Sequence, residues 1–483
     1  MHFIQPDRHS RRAFLQRTGQ LAMTGAAMPW ALNLAAMGDA AAFEAQDYKA
    51  LVCVFLYGGN DYANTVVTYD STRHAEYARI RAAGAGSAAG SIVMERSTLS
   101  NTVLRPSTAL PEGQQYALHP SLYNLAGLFN SGQAAVQLNV GPLVVPLTRA
   151  QYNSRAYPLP PKLFSHNDQQ SVWQSSSPEG STVGWGGRLG DLALASNTSA
   201  QFTCISVTGN SVFLSGQQAL QYQCSTSGAI RIRATQPGDW FFGPHEGMRE
   251  TLLELTQQHH THVLQEEYNA VMRRAIASES KVRNALVGVN LRSPFADNNL
   301  SRQMRMVAQL IGARQALGVK RQVFMVSMGG FDLHDNLVSR QPGLLMELDQ
   351  ALSAFYRATV ELGVADRVTT FTASDFGRTL TSNGDGSDHG WGSHHFVVGG
   401  AVKGARFYGE APPVSVGDSD APQDQWHVGQ GRLLPRTSTD QFAATLARWF
   451  GVQDSEINSI LPNLRHFGDG NGTLDYPLNL GFV

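Results

Sequence analysis

Two apolar runs in this chain end in the same way. Residues 50–57 read Ala-Leu-Val-Cys-Val-Phe-Leu-Tyr and stop at Gly58-Gly59-Asn60-Asp61. Residues 322–328 read Gln-Val-Phe-Met-Val-Ser-Met and stop at Gly329-Gly330-Phe331-Asp332-Leu333-His334. Continuous apolar runs of this length predict strands buried on both faces, as in a parallel sheet. Paired glycines let the backbone turn sharply and approach a ligand closely. The aspartate that follows then falls beyond the carboxyl end of its strand, where open α/β sheets place their sites.

A third stretch repeats the plan with more chemistry. Val368–Thr372 is a β-branched run, and Phe396-Val397-Val398 is a second short strand closed by Gly399-Gly400. Between them lies a polar, glycine-rich loop carrying Asp375, Arg378, Asp388, His389, His394 and His395. Carboxylates and imidazoles in this mixture are the ligand types of a zinc, manganese or iron site. His394 and His395 alternate on an extended backbone, so one of the two points inward. Asp332 and His334 share a face by the same rule.

Further strands are expected at Ala134–Val140 and Phe202–Val207. Helices are expected at Ser121–Asn130, from Gly184, over Glu246–Leu286, Leu300–Leu317, Gly343–Glu361 and Thr437–Phe450. Such alternation predicts an α/β fold, a mostly parallel central sheet flanked by helices. Residues 209–244 alternate polar and apolar positions between turn signals and read as a β-rich insertion or cap. Residues 82–91, rich in Ala, Gly and Ser, read as a loop. His259, His260 and His262 fall in the long helical region without the spacing of three or four that a metal needs, and read as surface residues.

The N-terminus carries an address. Ser10-Arg11-Arg12-Ala13-Phe14-Leu15 is a twin-arginine pattern, followed by a weakly apolar stretch and by Ala40-Ala41-Ala42. Residues 1–42 are therefore expected to be an export signal read by the twin-arginine translocon, with the fold in residues 43–483 and a periplasmic or secreted location. The apolar part is too short to span a membrane stably. With a net charge of −1 and no basic cluster, the 483-residue chain lacks the footprint of a nucleic-acid binder. Of three cysteines, Cys53 lies in the first strand, while Cys204 and Cys224 are free to pair or not.

Leu163-Phe164-Ser165-His166-Asn167-Asp168 opens a helix with a hydroxyl, an imidazole and a carboxylate in four residues. An oxyanion at such an N-terminus and a simple cap are both open. Arg188, at the start of the next helix, either clamps an oxyanion or pairs with a carboxylate.

Taken in order, the twin-arginine leader, Phe55-Leu56-Tyr57-Gly58-Gly59-Asn60-Asp61, Phe164-Ser165-His166, Gly330-Phe331-Asp332-Leu333-His334, Ser374-Asp375-Phe376-Gly377-Arg378-Thr379 and Asp388-His389-Gly390 resemble a family of exported bacterial proteins. It is the domain-of-unknown-function family fifteen-oh-one, in the alkaline phosphatase and sulfatase-like clan. The resemblance implies an alkaline-phosphatase-like scaffold and one or two divalent ions (zinc, manganese, calcium or magnesium). It implies Asp61, Asp388 and His389 at one ion, and Asp332, His334 and His395 at the other. Ser165 is the candidate nucleophile, with Thr65 second; Arg188 or Arg378 would steady oxyanion charge. This chain departs from the clan in two ways. Its middle pair is Asp-x-His rather than Asp-x-x-x-His, with Asn336 at the fourth place, and it has no Cys-x-Pro-x-Arg signature. The expected function is hydrolysis of phosphate or sulfate esters, including those of a surface polymer. The rival is a non-catalytic exported protein that binds or assembles with a secreted partner. A metal oxidoreductase has no haem, iron–sulfur, flavin or dinucleotide motif behind it.

Overall fold

Residues 45–82, 91–235, 246–468 and 476–483 are described by the computed structural model of the chain. The expected export signal and most of the Ala/Gly/Ser-rich loop lie outside them, as do residues 236–244 of the expected insertion or cap.

The main strands form where the apolar runs predicted them: β1 (Lys49–Leu56), β4 (Ala134–Gly141), β5 (Cys204–Ser206), β8 (Arg321–Met328), β9 (Val368–Ser374) and β10 (Ser393–Val398). A small hairpin of β2 (Val66–Thr68) and β3 (Tyr116–Leu118) stands apart from them. With β6 (Gln221–Ser225), β7 (Gly228–Ala229), β11 (Arg406–Tyr408) and β12 (Thr437–Ser438) they make a ten-stranded sheet of order β11-β4-β10-β9-β1-β8-β5-β6-β7. β12 lies beside β4. Pairing is parallel from β9 through β6; β10 runs antiparallel to both its neighbours, and β7 turns back on β6.

Within the expected β-rich insertion, residues 221–229 form β6 and β7, and β6 extends the central sheet at its edge. One expectation is corrected here. His394 and His395 do not belong to the polar loop, because β10 begins at Ser393 and takes both into the sheet.

Side chains of β1 alternate between two cores. Ala50, Val52, Val54 and Leu56 face α2 (Tyr123–Asn130), α7 (Asn299–Gly312) and α8 (Leu337–Glu361). Leu51, Cys53 and Phe55 face α4 (Trp185–Ala193) and α9 (Thr439–Phe450). The result is helix, sheet, helix. Before these come α1 (Ser71–Ala82) and α3 (His166–Ser175), which flank the carboxyl edge. The long expected helix is two helices, α5 (Glu246–Gln257) and α6 (Val263–Val287), and the three histidines sit at the turn between them, exposed.

All three cysteines are buried free thiols. Cys204 pairs in register with Gln221, which leaves Cys224 three residues farther along β6. At about 3.3 Å per residue that offset is roughly 10 Å, beyond the reach of a disulfide.

Candidate metal centre

The order β8-β1-β9 brings three strand ends side by side, and the segments that leave them are tied together by Arg378. Its side chain is fully buried. Nε donates to Gly59 O at 2.8 Å, Nη1 to Ser387 O at 2.9 Å, and Nη2 to Gly58 O at 2.6 Å and Phe331 O at 3.2 Å. Nη2 also bonds Asp332 Oδ1. A rigid five-donor fork suits this task where a lysine would not. Gly58 sits at φ +116°, and a Cβ there would lie 2.4 Å from Asp332 N. The glycine that ends β1 is thus what lets the Asp332 segment come so close.

Above this frame three imidazoles are anchored through one nitrogen and aim the other at Asp332. His166 Nδ1 lies 2.6 Å from Asp375 Oδ2. His389 Nδ1 lies 2.7 Å from Phe164 O, and His334 Nδ1 lies 3.2 Å from Asp388 Oδ1. A carbonyl only accepts, and so does an ionised carboxylate, so each Nδ1 is assigned the proton. Each Nε2 then carries a lone pair. His166 Nε2 is 3.5 Å from Asp332 Oδ2; His334 Nε2 and His389 Nε2 are 3.1 and 3.4 Å from Asp332 Oδ1. The last two nitrogens are 2.8 Å apart. Two lone pairs at that distance repel unless a proton or a metal cation lies between them. With its rings neutral, the donor set of three imidazoles and a carboxylate fits a divalent metal. Ligand atoms of His166, Asp332 and His389 all lie within 4.8 Å of one another.

Burial works against charge on Asp332, but the hydrogen bond and charge of Arg378 offset it and hold its carboxyl below the usual range. The hydrogen bond from Asp375 raises the pKa of His166 against the pull of burial, so a metal at its Nε2 competes with a proton. Burial lowers that of His389, which keeps it neutral and able to coordinate. Phe164, whose carbonyl orients His389, is held at φ +72°, a conformation rare for a side chain of its size.

The chain matches over residues 48–461 the family described as "Protein of unknown function (DUF1501)". It belongs to that family. No curated protein matches it in sequence. Among solved structures this DUF1501 protein is similar to the PsFucS1 sulfatase from Pseudoalteromonas sp., at 9% identity and TM-score 0.35, over 89% of this chain and 73% of that one. It is similar to Ps i-CgsB in complex with k-i-k-neocarrahexaose, at 8% and 0.35, over 86% and 74%. It is also similar to the lipoteichoic acid synthase LtaP from Listeria monocytogenes, at 10% and 0.30, over 86% and 74%.

Of the six expected ligands, the DUF1501 fold gathers four: Asp332, His334, Asp388 and His389. Asp61 is turned away and fully engaged. It accepts from Asn64 N at 2.9 Å, Arg81 Nη2 at 2.6 Å and Ser387 Oγ at 2.7 Å, all buried. His395 points into the core, edge-on to Trp173 at 4.9 Å and 3.3 Å from Thr372 Oγ1. His394 lies on the other side of the strand, where its Nδ1 accepts from Asn139 N at 3.1 Å. Arg378 is a structural tie, as above, and Arg188 bonds Ile460 O at 2.8 Å beyond the site. Ser165 Oγ donates to Asp168 Oδ2 at 3.0 Å, and Thr65 Oγ1 is buried against Asp61 O at 2.7 Å. Asn336 begins α8 and does not enter the cluster.

His166 and Asp375 join the centre although neither stood among the expected ligands. Both lay in quoted motifs. What was lacking was their pairing, which spans 209 residues.

Proposed function

We propose that this is an exported, metal-dependent hydrolase of phosphate or sulfate esters, with one divalent ion held by His166, Asp332, His334 and His389. The observation that carries the reading is the common aim of three Nδ1-anchored imidazoles at one carboxylate. Export rests on Arg11-Arg12, and the ester class rests on the resemblance of the motifs to the alkaline phosphatase and sulfatase-like clan. When bound, such an ion supplies Lewis acidity toward an ester oxygen and acidifies water.

The chain's own residues supply position and charge. Asp375, Asp388 and Phe164 O fix the three rings. Asp332 brings negative charge to their meeting point, and Arg378 holds it there. Arg432 donates to His389 O at 2.7 Å and backs the loop from the far side. Ser165, next to His166 in sequence, is the candidate nucleophile, with Asp168 placed to accept its proton.

The test is metal content by elemental analysis on protein exported through its own leader, with turnover measured on a panel of phosphate and sulfate esters. One equivalent of zinc, manganese or a similar ion is expected, lost in Asp332→Ala, His389→Ala protein together with turnover. Ser165→Ala should keep the metal and lose turnover. Protein without metal or turnover overturns the reading.

A second reading, an exported binding or assembly protein on the same scaffold, is favoured by one observation: both candidate hydroxyls are engaged, Ser165 with Asp168 and Thr65 with Asp61 O. Stoichiometric metal without turnover on any ester supports it.

A further inference from the structure

A groove of about 650 Å³ opens beyond the carboxyl end of β11, on the flank of the sheet away from β8. It is lined by Arg73 of α1, by Glu112 and Gln114 from the loop before β3, by Glu410 just after β11, and by Gln423 and Trp426 of the turn Pro422–Trp426. β4 and β11 run parallel to β9, because β10 is antiparallel to both β4 and β9. The groove therefore shares an edge of the sheet with the metal centre. Three strand spacings set β11 roughly 14 Å from β9. One segment joins the two places: Leu434 N donates to Trp426 O at 2.8 Å, Val428 N to Arg432 O at 2.9 Å, and Arg432 Nε to His389 O at 2.7 Å.

The lining identifies the chemistry of a ligand. Arg436 stacks on Trp426, its guanidinium carbon 4.6 Å from the ring centroid. Trp426 lines the groove and Arg436 does not, so the opposite face of the indole is the one presented. Glu410 and Gln423 are exposed and Gln114 is half-buried, and among the described residues their side chains have no hydrogen-bond partner. The arginine of the groove is already committed: Arg73 lies 2.7 Å from Glu112 Oε2 and 3.5 Å from Asp70 Oδ1. A sulfated or phosphorylated segment would therefore meet Glu410 with no free cation to receive it. An aromatic face suits the C–H side of a sugar ring, and amides beside a carboxylate suit its hydroxyls. The volume is that of a small-molecule site.

We propose that this groove binds a neutral segment of a glycan chain, with one sugar stacked on Trp426 and hydroxyls held by Gln114, Glu410 and Gln423. Binding there needs neither metal nor turnover, so it stands or falls apart from the hydrolase reading. Under that reading, the shared edge makes the ester a substituent of a polymer whose unmodified units lie in the groove.

Isothermal titration of the full exported chain with cellohexaose, chitohexaose, mannohexaose and xylohexaose tests this, beside a heparin hexasaccharide and a proline-rich peptide. At least one neutral hexaose should bind in the micromolar to millimolar range. Trp426→Ala should weaken that binding at least about 10-fold, as loss of a central aromatic contact does. Gln114→Ala, Gln423→Ala protein loses two side chains that hold nothing in the fold, and should bind several-fold more weakly. Both variants should keep the wild-type circular dichroism spectrum and metal content. No binding of any neutral hexaose, wild-type binding by either variant, or tighter binding of the heparin fragment or the peptide overturns the inference.

Discussion

Asp375 Oδ2 holds His166 Nδ1 at 2.6 Å and accepts from Gln170 Nε2 at 2.8 Å, from a position at the end of β9 with no solvent exposure. This buried carboxylate sets which nitrogen of His166 faces Asp332. Removing the charge while keeping the shape, by Asp375→Asn, should weaken metal binding by about 10- to 100-fold, the usual cost of losing a partner behind a ligating histidine. Competition titration against a chelator measures it. Affinity equal to wild type would remove Asp375 from the centre.

His395 sets a pH dependence of known sign. Burial, with a smaller contribution from His394, lowers its pKa to about 3 in the fold, against an ordinary value of 6.5. Below 6.5 the unfolded chain takes up a proton that the folded chain refuses. Stability is therefore full above about pH 6.5 and falls as pH drops toward 3, by up to ~1.4 kcal/mol per unit. His395→Phe, which keeps a ring beside Trp173, should lose roughly 2 kcal/mol less than wild type between pH 7 and pH 5. Denaturant titrations at the two pH values decide it, and equal losses would exclude His395 as the source. Metal content should stay unchanged, since His395 lies outside the cluster.

Asp61 and Arg81 form a buried pair, at 2% and 0% side-chain exposure. Breaking such a pair from one side leaves an uncompensated charge. Arg81→Met should cost about 3–5 kcal/mol in chemical denaturation. Protein refolded under stabilising conditions should still bind its metal. If metal binding is lost while stability is kept, Asp61 belongs to the site after all.

How much of this could be read from the sequence follows the range over which each feature is encoded. The strands were legible because apolar runs such as Ala50–Tyr57 and Gln322–Met328 encode them locally. Asp332, His334, Asp388 and His389 were legible because each follows a strand end within a few residues or sits in the loop that joins two strands. Asp61 misled because its partner, Arg81, lies on α1, whose polar composition resembles that of a surface helix. His394 and His395 misled because β10 starts three residues before the apolar part of its sequence. The His166–Asp375 pair was invisible because nothing local in either segment names the other. A ring next to a proline-rich bend and a carboxylate closing a buried strand are ordinary features until the fold joins them.

The approach of β1 to the Asp332 segment rests on a missing side chain, and this gives a prediction with a built-in control. At Gly58, φ is +116°, and an added Cβ would stand 2.4 Å from Asp332 N and 2.8 Å from Phe331 C. Both are backbone atoms, so no rotamer change relieves the clash; the segment carrying Asp332 and His334 must move. Gly58→Ala adds backbone strain of about 1–3 kcal/mol to that displacement. Gly329, at the end of the neighbouring strand, has nothing within 4 Å of its would-be Cβ. Gly58→Ala protein should therefore be destabilised and short of metal, while Gly329→Ala protein should match wild type in both. Elemental analysis beside a thermal melt separates them. If Gly58→Ala protein is less stable but keeps its metal, the Asp332 segment tolerates the shift, and the centre depends less on this contact than its geometry implies.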